Sequence, residues 1–195
     1  MNPTTFKETL EKAEGGDREA QYQLSVMYMN GEGVKQNDEK DFYWCQRAAE
    51  SGHPNAQYNL SLMYMQGIGV EKDLEKQFYW SEKGATNGHE EAQYNLSVMY
   101  RDGIGVEKDK EKEFYWRQKA AEGGYPCAQH NLSVMYLVEK DFENAFYWAE
   151  KAAKGGNHHA QKNLSRMYTN GDGVEKDDEK SLYWFNKSWF EKENS

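Results

Sequence analysis

The chain has 195 residues, enough for one sizeable domain. Its net charge of −9 lacks the basic footprint that phosphate binding needs, which excludes nucleic acid as a partner class and suits a basic protein partner instead. A mean hydropathy of −1.09 is low for a packed core, yet 14% aromatic residues is unlike a disordered chain, so the expected core is rich in Tyr, Trp and Met.

The opening stretch "MNPTTFKETLEKAEGG" has no apolar core of a signal peptide. Its residues Thr4–Glu14 predict one helix that caps the rest of the chain, within a capping segment 1–16. The chain then repeats itself. "AQYQLSVMY" starts at Ala20 and returns, slightly varied, at Ala56, Ala92, Ala128 and Ala160, with spacings of 36, 36, 36 and 32. The last spacing is short because the fourth copy lacks a "GxGV" segment, and Tyr136 runs directly into "LVEKDFENAFYW". The predicted units are 17–52, 53–88, 89–124, 125–156 and 157–188, followed by a tail 189–195, in one repeat domain.

Each unit reads as two helices. Helix A covers roughly Arg18–Met29, Pro54–Met65, Glu90–Arg101, Pro126–Leu137 and His158–Thr169. Pro54 and Pro126 suit a first helical position, and Gly31, Gly67, Gly103 and Gly171 suit its end. Asn37, Asp73, Asp109, Asp141 and Asp177 fit as N-caps of helix B, which is expected to end at Gly52, Gly88, Gly123 or Gly155. A last helix near Asp178–Glu191 caps the far end. In helix A, Ala20, Leu24, Met27 and Tyr28 make one apolar stripe; in helix B, Phe42, Trp44, Cys45, Ala48 and Ala49 make another. One hairpin cannot bury both stripes, whereas stacked hairpins cover each other. The Trp of each "FYW" or "LYW" (Trp44, Trp80, Trp116, Trp148, Trp184) recurs at one position, and the whole motif is expected in the core. No apolar run approaches the ~20 residues of a membrane span. Two cysteines, Cys45 and Cys127, are too few for a secreted disulfide scaffold, so the expectation is a cytoplasmic protein with two buried or idle thiols.

In the third unit, Ala92, Leu96, Met99, Tyr100, Gly103, Gly105, Val106, Asp109, Lys112, Trp116, Lys119, Ala120, Ala121 and Gly124 resemble the Sel1-like repeat pattern, a relative of the tetratricopeptide repeat. The resemblance runs from about residue 17 to 188. It implies an all-α, right-handed α-solenoid (superhelix) of five helix-turn-helix repeats with a capping helix at each end. It also implies a protein-binding scaffold, with helices A lining a concave face. Two departures stand out. Where the family has Gly after the leucine, this chain has Ser25, Ser61, Ser97, Ser133 and Ser165; where it has Ala in helix B, this chain has Asp41, Gln77, Glu113, Ala145 and Ser181. In such hairpins these two positions meet where the helices cross. An unpaired carboxylate there is costly, so Ser25–Asp41, Ser61–Gln77 and Ser97–Glu113 are expected to hydrogen-bond. The alternative is that the long side chains tilt out to water. In the fourth unit Tyr136 and Ala145 are nine apart, and the small residue returns.

The other side of helix A carries a second row, about 180° to 240° from Ala20 at roughly 100° per residue. It reads Tyr22, Val26, Met29; Tyr58, Leu62, Met65; Tyr94, Val98, Arg101; His130, Val134, Leu137; and Lys162, Arg166, Thr169. This row is the candidate partner-binding face, apolar and tyrosine-rich early and basic late; alternatively it packs between neighbouring helices A. His53, His89 and His158 fall at helix A starts. Only His158–His159 are paired, and adjacent helical residues chelate poorly, so no metal is expected. "GxGV" lacks the strand and the Lys–Ser/Thr of a phosphate loop. No G-x-S-x-G is present, and neither S-x-x-K nor K-T-G of β-lactamase-like chemistry occurs, although some cysteine-rich relatives are described as β-lactamase-like. The expectation is therefore a non-enzymatic adaptor without cofactor, metal or membrane association. It would hold a protein or peptide partner as a monomer or weak dimer, with Trp189 and Phe190 of the tail capping the last repeat or seeding the dimer. The alternative, implied by the resemblance, is a bacterial immunity protein that neutralises a basic toxic enzyme; a hydrolase is the third class.

Overall fold

Most helices of the hairpins start or stop where a side chain or a glycine satisfies their free backbone ends. The structure is a computed structural model and describes residues 3–190. The chain divides into two compact units, Met1–Trp116 and Arg117–Ser195. The first holds α1 (Pro3–Glu14), the hairpin α2 (Arg18–Asn30) and α3 (Asp38–Glu50), the hairpin α4 (Pro54–Gln66) and α5 (Leu74–Thr86), then α6 (Glu90–Asp102) and the start of α7 (Lys110–Gly123). The second holds the rest of α7, the hairpin α8 (Pro126–Val138) and α9 (Phe142–Lys154), and the hairpin α10 (His158–Asn170) and α11 (Asp178–Phe190). Among the described residues there are these eleven helices and no strand.

The caps explain the boundaries. Asn37 and Asp73 accept the backbone N–H of Lys40 and Lys76 at 2.8 and 2.9 Å, and Asp109, Asp141 and Asp177 cap α7, α9 and α11 in the same way. His53 and His89, unusual caps, accept from Ala56 and Ala92 through Nδ1 at 3.3 Å. Gly31, Gly67, Gly103 and Gly171 end α2, α4, α6 and α10 with φ between 73° and 81°, a region open to glycine. The ends of the second helices differ from expectation. Helices α3, α5 and α9 stop at Glu50, Thr86 and Lys154; Ser51, Asn87 and Gly155 close the last turn, and the left-handed residue is the next one, Gly52, Gly88 or Gly156. In α7 Gly123 is still helical and Gly124 turns.

Both predicted stripes are buried, with Phe42 only partly so. In the first unit Cys45, Ala48 and Ala49 of α3 pack with Ala56, Leu60, Met63 and Tyr64 of α4, and Ala85 of α5 with Ala92, Leu96 and Tyr100 of α6. In the second unit Ala149, Ala152 and Ala153 of α9 pack with Ala160, Leu164 and Met167 of α10. The glutamine of each "AQ" dipeptide is also buried. Gln21, Gln57, Gln93, Gln129 and Gln161 donate through Nε2 to the carbonyls of Ala13, Ala49, Ala85, Ala121 and Ala153, at 3.0–3.3 Å. These bonds tie the start of one hairpin to the end of the preceding helix, satisfying a carbonyl in its last turns.

The "GxGV" segment is a second tie. Ile68 and Val70 pack on the α3–α4 cluster. Gly69 lies so close to α3 that a Cβ on it would sit 2.2 Å from the Asp38 carbonyl oxygen; Gly105 against Leu74 and Gly173 against Phe142 repeat the arrangement at 2.3 and 2.0 Å. The segment is thus a clamp on the first turn of the preceding hairpin's second helix.

The aromatic motif is split between core and surface. Trp44, Trp148 and Trp184 are buried and Trp80 and Trp116 partly so, but Tyr43, Tyr79, Tyr115, Tyr147 and Tyr183 are each about half exposed. Neighbouring helical residues point about 100° apart, so both members of the Tyr–Trp pair cannot face inward. The exposed tyrosines meet their tryptophans edge to face at 5.0–5.1 Å. The two thiols differ in exposure. Cys45 is buried and donates to the Ala56 carbonyl at 3.4 Å, with burial pushing its pKa up to about 12, whereas Cys127 is exposed. Both are free.

Candidate interaction face on the first helices

The second row of helix A divides by depth. In the first unit Tyr22, Val26, Tyr58, Leu62, Tyr94 and Val98 are half-buried, while Met29 (42%), Met65 (39%) and Arg101 reach solvent. Tyr22 lies flat on His53 with ring centroids 4.4 Å apart, and Tyr58 on His89 at 4.5 Å. Each tyrosine is therefore braced by the capping histidine of the next hairpin. Sequence reasoning missed this pairing, though a tyrosine followed 31 residues later by a histidine occurs at both 22/53 and 58/89. Burial raises the Tyr58 pKa, with the nearby Glu91 adding to the rise. Burial lowers that of His89 in spite of Glu91 and Glu90. Glu19 Oε2 lies 3.1 Å from His53 Nε2.

Two hollows open along this row. One, of about 370 Å³, is lined by Tyr22, Val26 and Met27 with Glu19 and Glu32 at its sides. The other, of about 430 Å³, is lined by Met29, Leu62, Met63 and Ile68 with Asp38 and Asp41. In both, apolar walls meet carboxylates.

In the second unit the row is different. Val134 is exposed, His130 is half-buried with its ring stacked toward His159 at 5.9 Å, and Leu137 packs partly on the α9–α10 core. Burial lowers the His130 pKa, with His159 and His158 adding to the effect. Lys162, Arg166 and Thr169 are exposed and share a hollow of about 320 Å³ with Phe185. Trp189, 56% exposed, shares a hollow with His158, His159 and Lys162 of α10; the Phe190 side chain and residues 191–195 lie outside the described residues.

The Ser–acid pairs expected across each hairpin form in only one of the three places. Ser25 Oγ donates to Asp41 Oδ1 at 2.5 Å. Ser61 and Ser97 instead donate to the carbonyls of Tyr58 and Tyr94 in their own helices, both at 2.6 Å. A helical serine has such a carbonyl within reach, so a pair across the hairpin forms only where the facing side chain competes with it. Gln77 Oε1 is left buried without a hydrogen-bonding partner among the described residues. In the last hairpin Ser165 and Ser181 do meet, at 3.1 Å, and in the short fourth one Ala145 is fully buried.

Stacked, capped helical hairpins define an all-α repeat protein of the solenoid class. A comparison with family models matches the Sel1 repeat over residues 18–53, 54–89, 90–125, 128–157 and 158–188, and the chain belongs to the Sel1 repeat family. A Sel1 repeat protein from Oxalobacter formigenes is 35% identical, with a TM-score of 0.88 over 94% of this chain and 54% of that one. The protective antigen c5321 of uropathogenic Escherichia coli is 36% identical, with a TM-score of 0.83 over 96% of this chain and 40% of that one. This chain thus spans about half or less of the length of both relatives. The immunity protein Pa5087 from Pseudomonas aeruginosa, 19% identical, shares the fold with a TM-score of 0.59 over 95% of this chain and 73% of that one. Among curated proteins no match was found. Among the described residues no helix is long and apolar enough to cross a membrane.

Proposed function

We propose that this chain is a non-enzymatic adaptor that holds a segment of a protein partner against the outward row of α2, α4 and α6. The observation that carries the reading is Met29 and Met65, large apolar side chains left in solvent on helices whose opposite faces are completely buried. Methionine, tyrosine and arginine, the types that make up this row, are enriched where proteins meet. Membership of the Sel1 repeat family, whose habit is protein binding, supports the same reading. So does the fate of Cys45, a thiol held protonated in the core and thus no nucleophile. A cytoplasmic location belongs to the same proposal, supported by two free cysteines. The acidic sides of both hollows and the net charge favour a narrower second reading, in which the partner is a basic toxic enzyme and the chain its immunity protein.

The test is a photo-crosslinking amino acid placed at Met65 or, on the exposed surface of the second helix α5, at Tyr79. The expected result is one partner captured from position 65 and not from 79. Capture from 79 alone would move the site to the second helices and end the proposal.

A further inference from the structure

The hollow between the first two hairpins contains a charged group that the packing alone does not explain. Asp41 stands in α3 where the family places a small residue, and where the other hairpins of this chain have Gln77, Glu113, Ala145 and Ser181. It is only 4% exposed. Ser25 satisfies Oδ1, but Oδ2 has no hydrogen-bonding partner and Asp41 no ion pair among the described residues. Nor is Oδ2 among the polar atoms sealed from solvent, and the surface that Asp41 keeps opens into the hollow. Asp38 stands beside it, likewise without a cation, and its charge adds to the cost of ionising Asp41. The nearest candidate in sequence, Lys40, is turned away over the Tyr28 ring, 5.3 Å from its centroid. The remaining walls are Met29, Leu62, Met63 and Ile68, with the amides of Gln36, Asn59 and Gln66.

A buried carboxylate with a spare oxygen, in a hollow with apolar walls and a second carboxylate beside it, is best matched by a cation on a flexible hydrocarbon stem. We propose that this hollow receives a lysine or arginine side chain of the partner protein, its stem along Met29 and Leu62 and its charged end on Asp41 Oδ2, with Asp38 beside it. The assignment rests on the first helices being the binding face and deepens that reading, because it names the anchor. A neutral apolar group would leave both carboxylates facing it unpaired, and an acidic one would be repelled.

The probes are three blocked amino acids, the N-acetyl methylamides of lysine, arginine and norleucine, titrated into the ¹⁵N-labelled full chain while the amides of Asn59, Leu62 and Gln66 are followed by NMR. The lysine or arginine probe is expected to bind saturably, at least tenfold tighter than norleucine, and Asp41→Asn to remove at least tenfold of that affinity. Asp41→Ser, which introduces the residue type found at position 181, provides a second neutral variant should the first fold poorly. Equal binding of norleucine, basic binding unchanged in both variants, or no shift with any probe would overturn the assignment. None of those outcomes touches the crosslink at Met65, so the broader face reading stands or falls separately.

Discussion

Asp41 shows how one residue can work against the fold that holds it. Burial raises the pKa of its carboxyl, Asp38 raises it further, and the Ser25 hydroxyl only partly offsets them. With the folded pKa above the unfolded one, the folded state loses stability as pH rises through that interval and gains nothing back above it. Asp41→Ala is therefore expected to raise stability at pH 7 by about 1 kcal/mol, since a buried charge replaced by an apolar group is commonly neutral to stabilising. Ser25 can then donate to its own helix, as Ser61 and Ser97 do. Thermal unfolding at pH 7 and pH 3 checks this: the gain should shrink at the lower pH, where the wild-type carboxyl is protonated in both states. A gain independent of pH would mean that packing, not charge, is responsible.

At the scale of the element, the "GxGV" segment is where the repeat is most tightly specified. Gly69 combines a φ of 66° with a contact that leaves no room for a methyl group beside the Asp38 carbonyl. Gly52 also has positive φ, at 82°, but nothing lies within 4 Å of the place its Cβ would occupy. Gly69→Ala is expected to cost roughly 2–4 kcal/mol, strain plus displacement of α3, against about 1 kcal/mol for Gly52→Ala. Urea unfolding of both variants measures the difference, and equal losses would show that the loop is not a clamp. The buried glutamines work at the same joints. Because each donates to a carbonyl eight residues back, in the preceding helix, stacking is directed by hydrogen bonds as well as by apolar area.

At the scale of the molecule, charge and apolar surface should act together on the partner. A net charge of −9 attracts a basic protein over distances comparable with the Debye length, about 10 Å at 0.1 M salt. Affinity for the partner captured at Met65 is expected to fall several-fold between roughly 50 and 300 mM salt without vanishing, because the contacts of Met29, Leu62 and Met65 are insensitive to screening. Titration calorimetry at the two salt concentrations decides it; affinity that rises with salt would exclude a basic partner. The sequence by itself determined the repeat, the Asn and Asp caps of the second helices, the glycine ends of the first helices and both buried stripes, because each depends on residues three or four apart on one helix or on a single terminal side chain. Asn37, Asp73 and the glycines after helix A are legible for that reason. Only the tertiary structure decided which tyrosines stack on a capping histidine, that Ser61 and Ser97 turn back to their own helices, and that Asp41 keeps an unpaired oxygen facing a partly apolar hollow. Those outcomes depend on side chains from different hairpins competing for the same hydrogen bond or the same space, and spacing along one chain does not record who wins.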